Sequence, residues 1–434
     1  MPRLADHWKI PEALAARIPA EAPGESAACA PPVAARFRGA PAWIHPAGAD
    51  ASRAPFVTDD GALRFFPDDA VANVQLERYV PRTAPDAARE AGLKRLYYAL
   101  KPVLPRALQI HAQRVNARAR LRSVTYPEWP QDDSLRSVLE ALLAAVLEEA
   151  GRDSVPFIGF WPRGARWAAC LTHDVETSAG LAAADRMARV EEGLGLRSTW
   201  FIVPERYPVS PADFAGLAER GHEIGVHGLN HDCREFESRE EFTRRVPLIG
   251  AYLRAWGAVG FRSPALYRNP DWIPDLEIRY DSSFMDTAVL EPQRGGVSAP
   301  FPFHLGARVV ELPITLPMDH HLINLLRRDT VDGMLTKFRW VVERHGLANL
   351  LFHPDYNLEE RRLRDYAKVV EAIRATDGGW IATAREIADW WDRRRASTLV
   401  EEGGRARIEG PAAADATIWL ARREGPRVRV VPRT

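Results

Sequence analysis

A chain of 434 residues that is 46% apolar is long enough for two or three domains and carries ample core for an enzyme-sized unit. Lysine plus arginine equals aspartate plus glutamate at 58 each, so no global field argues for nucleic acid or an acidic membrane surface as a partner. The first residues, MPRLADHWKIPEALAARIPAE, scatter charge through any apolar stretch, and no later window approaches the length of a membrane span, so a cytoplasmic protein is expected, with Cys29, Cys170 and Cys233 as reduced thiols.

In chain order, residues 1–80 are rich in Ala, Pro and Arg without sustained periodicity and read as a loop-rich leader. Residues 81–164 read as mainly helical. Within them the stretch 82–122 contains KRLYYALKPVLPRALQIHAQRVNARARLR, which interleaves basic residues with Tyr97, Tyr98, Leu100, Leu104, Leu108 and Ile110. It is expected to be a solvated basic face on helices that dock on the next domain. The alternative is an amphipathic segment making weak contact with a membrane surface or an anionic polymer, through Arg114, Arg118, Arg120 and Arg122 among others. SLRSVLEALLAAVLEEA, residues 134–150, follows an aspartate pair and precedes Gly151, which predicts a helix.

From 165 to 396 strand and helix patterns alternate. STWFIV (198–203) is an apolar run of strand length behind a helix carrying Met187, Val190 and Leu194 at spacings of three and four. Ser210, Pro211 and Asp213 start a helix that Gly221 stops, and Ser238 with Glu241 starts another that contains Pro247. Residues 222–226, 259–262, 309–314 and 349–353 are further strand candidates. Helices are expected over 330–345, through Tyr366, Val369, Val370 and Ile373, and from the Thr383–Glu386 cap to about Arg395. This order predicts an α/β fold, a barrel or a doubly wound sheet. Beyond Leu399 the pattern turns to period two, and residues 397–434 are expected to form a small antiparallel β appendage.

Reactive side chains gather where the strands end, which is where parallel α/β folds place their sites. The first strand ends in LTHDVE, and alternation sends Asp174 and Glu176 to one face and His173 and Val175 to the other. The third runs into HGLNHD, whose His227 and His231 have the spacing of two imidazoles on one metal ion; Gly228 and the preceding strand speak against a helical zincin motif. A catalytic metal needs such a pair, one carboxylate and an open position, and hydrolysis needs a separate base nearby. Arg262, in FRSPAL, is placed to pair with a carboxylate and hold it ionised. His353, in LLFHPDY, is placed to give a proton to a departing amine. Cys233 is not expected to be a ligand, and a backbone N–H near Ser263 is a candidate oxyanion donor.

Together LTHDVE, HGLNHD, FRSPAL and LLFHPDY, in this order, resemble the motif series of the polysaccharide deacetylases of the carbohydrate esterase family 4 type, over about residues 165–395. The resemblance implies an irregular (β/α) barrel of about seven strands, here with a helical N-terminal extension, a divalent metal, usually zinc (Zn2+), and hydrolysis of N-acetyl or O-acetyl groups on a sugar or polysaccharide precursor. It gives Asp174 the role of base, His227 and His231 those of metal ligands, Arg262 that of orienting the base, and His353 that of acid. The usual first motif has adjacent aspartates, the second a ligand, and here Val175 stands in that place. Either Glu176 supplies the oxygen ligand from one residue further, the reading its shared face with Asp174 favours, or the site has lost its metal. The family's aspartate near the acid histidine is not clear, although Asp319, His320 and His321 of ELPITLPMDHH fall in the right interval. Two other functions fit the same barrel: an amidohydrolase of small non-sugar amides and a non-catalytic carbohydrate-binding protein.

Overall fold

The computed structural model describes residues 4–16, 33–37, 40–44, 67–80, 106–124, 126–425 and 427–432. The first part of the expected basic stretch, with Tyr97, Tyr98, Leu100 and Leu104, lies outside them, as does Cys29. Two short helices, Leu4–Trp8 and Glu12–Ala15, precede a hairpin of β1 (Val33–Phe37) and β2 (Ala40–Ile44), and helices Pro67–Gln75 and Arg106–Ser123 follow. Helix Ser134–Glu149 buries Leu135, Leu139, Leu143 and Leu147 in a shared core with Trp8, Phe157, Trp390 and Trp419, and the Trp8 indole donates to Leu139 O at 3.1 Å. Apolar residues at 3.6-residue spacing on this helix dictate that docking.

Strand β3 (Ser154–Ile158) leads into the barrel, whose strands are β4 (Trp167–Val175), β5 (Thr199–Ile202), β6 (Glu223–His227), β7 (Gly260–Arg262), β8 (Tyr280–Asp281), β9 (Phe303–Leu305), β10 (Val309–Glu311), β11 (Leu347–Phe352) and β12 (Gly379–Ile381). They form one curled sheet in the order β11-β4-β5-β6-β7-β8-β10-β9, with β12 pairing the start of β4; all pairs are parallel except β9 with β10. The (β/α) barrel expectation therefore holds, with two- and three-residue strands adding to its count. Its open side is crossed by side chains and loop. Thr315 and Leu316 N–H donate to Asn349 O at 3.3 and 3.2 Å, and the buried Asn349 amide donates back to Ser282 Oγ and Leu312 O. The apolar shell between strands and helices is built from Trp200, Ile202, Phe338, Phe352 and Tyr366.

The period-two tail forms β13 (Thr398–Glu402) with β14 (Arg405–Glu409), and β15 (Ile418–Glu424) with β16 (Arg427–Val431). β15 also pairs antiparallel with β3, so Phe157 and Trp419 meet in the core. Among the described residues no helix is long and apolar enough to cross a membrane.

A buried ion pair and a lysine-to-carbonyl hydrogen bond join the N-terminal region to the barrel. Glu77 accepts from Arg268 Nε at 2.8 Å and lies 2.5 Å from its Nη2, and Lys337 Nζ lies 2.6 Å from Asp286 Oδ2 while donating to Pro130 O. Removing one partner of a buried pair strands the other charge, at a cost of about 3–5 kcal/mol. Glu77→Gln is therefore expected to lower the denaturant midpoint by that much stability with an unchanged m-value. A loss below about 1 kcal/mol would mean that the pair is solvated.

Candidate active site

Strand β4 is buried along its whole length, so its alternation has consequences on both faces. On the outer side His173 stacks on Trp200 with ring centroids 4.0 Å apart and lies 2.7 Å from Glu191 Oε1, while Val175 joins the apolar shell. On the inner side Asp174 and Glu176 both border one cavity of about 970 Å³, together with His227, His231 and His353. Arg262 does not line that cavity. It lies behind Asp174, donating from Nη1 to Asp174 Oδ1 and Thr172 Oγ1 at 2.9 Å each, from Nε to Ser282 O at 2.8 Å and from Nη2 to Ser282 Oγ at 2.7 Å. Burial pushes the Asp174 carboxyl up, but His227, Arg262 and His353 outweigh it and hold the group below the ordinary aspartate value.

His227 closes β6. Its Nδ1 sits 3.0 Å from Arg262 O, a contact that places the proton on Nδ1 and leaves the Nε2 lone pair facing the cavity, 3.6 Å from Asp174 Oδ2. Burial lowers its pKa to about 4, which keeps the ring neutral, as a ligand must be. His231 follows in a loop with φ +60, and its Nε2 is buried without a hydrogen-bond partner, 3.1 Å from Glu176 Oε1. Burial would raise the Glu176 carboxyl, yet His231, His353 and His227 hold it well below the usual glutamate value.

The turn carrying His231 depends on Gly228, whose φ is +60; a Cβ there would come within 2.5 Å of Pro264. Leu229 N–H donates to Glu235 Oε1 at 3.0 Å, and buried Arg245 clamps Asp232 with two bonds of 2.8 and 2.7 Å. The ligand-type atoms of Glu176, His227 and His231 lie within 4.8 Å of one another. One carboxylate oxygen and two imidazole nitrogens, gathered at the edge of a cavity, suit a divalent ion with an open position. Cys233 borders the cavity but stands outside this group.

His353, just past β11, lies with Nδ1 2.7 Å from Asp319 Oδ1, while its backbone N–H donates to Asp319 Oδ2 at 2.8 Å. Asp319 is fully buried and also accepts from Asn357. Burial would lower the His353 pKa, but Asp319, then Glu176 and Asp174, lift it to about 10, which favours the protonated ring. Asp319 is thus the partner of His353; of its neighbours, His320 borders the cavity and His321 instead bonds the Glu291 carboxylate.

The oxyanion donor expected near Ser263 is not available from that residue, because its N–H is committed to Ser283 Oγ at 2.9 Å. Two features escaped the sequence reading. Asp355 accepts from Glu176 N–H at 3.0 Å and from Thr177 Oγ1, holding the turn after β4; the PDY following His353 was the only signal. Helix Arg106–Ser123 forms a wall of the cavity with Ala112, Gln113, Asn116, Ala117 and Arg120.

No family model matches the chain, and no curated protein matches it. Among solved structures it is similar to the "putative polysaccharide deacetylase" of Mycobacterium smegmatis, with 20% identity, 53% of this chain and 91% of that one covered and a TM-score of 0.42. It is also similar to Puue allantoinase, at 15% identity, coverage of 54% and 93% and a TM-score of 0.40. A third is the "probable polysaccharide deacetylase" of Pseudomonas aeruginosa PAO1, at 16% identity, coverage of 54% and 94% and a TM-score of 0.40. Each of these three likenesses covers about half of this chain.

Proposed function

We propose that this chain is a metal-dependent hydrolase that removes N-acetyl or O-acetyl groups from a sugar or polysaccharide precursor. One observation carries the reading. A three-atom ligand set, a carboxylate fixed by arginine and an imidazolium fixed by aspartate meet at a single cavity. Glu176, His227 and His231 would hold the ion, and two imidazoles with a carboxylate suit Zn2+. When bound, it supplies Lewis acidity toward the acyl carbonyl and toward water.

The chain's own groups divide the proton work. Asp174 Oδ1 is taken by Arg262, so Oδ2 is the atom that accepts a proton from attacking water. The Nδ1 of His353 is taken by Asp319, so Nε2 carries the proton that goes to the departing sugar nitrogen or oxygen. One group is held below its ordinary pKa and the other above it, the separation that assigns a base and an acid.

The test is acetate release from tri-N-acetylchitotriose by zinc-loaded protein, run beside allantoin as a ureide. Acetate without ureide hydrolysis is expected. Ureide hydrolysis alone would move the chain to the small-amide amidohydrolases, and folded protein that binds no metal and turns over neither would leave only a carbohydrate-binding role.

A further inference from the structure

We infer that helix Arg106–Ser123, outside the barrel, is the recognition wall of the cavity, with Gln113, Asn116 and Arg120 meeting the part of an acylated, hydroxyl-rich substrate that lies beyond the acyl group. The inference rests on the hydrolase reading and adds which segment reads the substrate.

A cavity of about 970 Å³ has room for a whole discrete ligand, far more than one acetyl group needs. Its lining divides accordingly. The acid, the base and the ligand set come from barrel strand ends, and the N-terminal helix supplies a wall at 113, 116–117 and 120, spacings that fall on one helical face. That wall is fixed rather than loosely draped. Ala117 is buried against Leu290 and Leu325, Arg114 Nε donates to Asn324 O at 2.7 Å, and Arg120 Nη1 donates to Glu291 O. The segments it is fastened to, around Glu291 and His320, border the same cavity.

The chemistry of the wall suits a sugar. The exposed Asn116 brings an amide, a side chain with both donors and an acceptor, the combination that matches hydroxyl and N-acetyl groups, and Gln113 and Arg120 border the cavity one turn to either side of it. Barrel residues can perform the cleavage, while this helix sets what fits against them.

The experiment compares two substrates in full-length, zinc-loaded protein: tri-N-acetylchitotriose, which fills the cavity, and 4-nitrophenyl acetate, which presents little beyond the acyl group. The readout is the ratio of their kcat/KM values in wild type, in Gln113→Ala/Asn116→Ala and in Asn116→Trp, which fills the space instead of emptying it. The ratio is expected to fall about tenfold or more in both variants, through a raised KM for the trisaccharide. A misfolded variant would lose both activities, and the bulk-adding variant on the exposed Asn116 then supplies the ratio. A ratio that moves less than about twofold in the folded variants overturns the inference. Wild type that cleaves the ester and leaves the trisaccharide intact also overturns it, with the hydrolase reading standing. Wild type inactive on both overturns the hydrolase reading itself.

Discussion

Protein carrying His227→Ala and His231→Ala together is expected to retain its fold, to lose its metal, and to lose activity by about 10³-fold or more. The magnitude follows from several kcal/mol of transition-state stabilisation at about 1.4 kcal/mol per decade. The fold should survive because His227 is the last residue of β6 and His231 lies in the loop beyond it, and the β4–β11 and β4–β5 pairings do not involve either. Elemental analysis should find about one divalent ion per wild-type chain and under a tenth of that in the variant, with both giving the same circular dichroism. Metal-free wild type with an intact fold, after exposure to zinc, would sink the account. The Glu176→Gln variant sharpens it: Val175 is fully buried in the apolar shell, which leaves Glu176 as the oxygen ligand proposed here, and its amide should weaken metal binding.

The second large effect is expected from Asp174→Asn. General bases contribute about 10²- to 10⁴-fold, and the amide cannot take a proton. It can still accept from Arg262, so stability should fall much less than in Asp174→Ala. The alanine variant leaves a fully buried guanidinium with no anion, a loss of about 3–5 kcal/mol. Activity lost with the fold kept in the asparagine variant, and both lost in the alanine variant, is the expected pattern. An asparagine variant keeping more than about a tenth of wild-type kcat/KM would remove Asp174 from the role of base. Arg262→Lys should not be neutral either, because a lysine cannot reproduce a fork that reaches Asp174, Thr172 and both oxygens of Ser282.

Much of this arrangement was legible beforehand, for physical reasons that differ by residue. WAACLTHDV could be read because a strand buried on both faces announces itself as an apolar run, and period two then separates Asp174 from His173. The helix boundaries at Ser210 and Thr383 were legible because a capping box is a local device, and both boxes are present. Strands β8, β9 and β12 were not, since two or three residues carry no period and, unlike β7 and β10, these lie in no apolar run that the sequence reading singled out. Asp319 stood in the right interval, but its bond to His353 spans 34 residues and only folding reveals it. That helix Arg106–Ser123 docks on the next domain was expected, but the wall it gives the cavity was not, because its contacts, through Ala117 and through arginine bonds to carbonyl oxygens, leave no sequence pattern that says which surface they meet. The pairing of β15 with β3 joins residues more than 250 positions apart, which no local pattern encodes.

The unlike faces of β4 also bear on how the chain avoids misfolding. A slip of one position in its pairing with β5 or β11 would exchange the two sets of side chains. Asp174 would then be forced against Trp200 and the buried Glu191, one carboxylate beside another with no cation, at a cost of several kcal/mol. His173 would at the same moment leave its stack on Trp200. The residues proposed for catalysis thus act as a proofreading signal during assembly, because only one alignment of this strand gives every charge a counterpart.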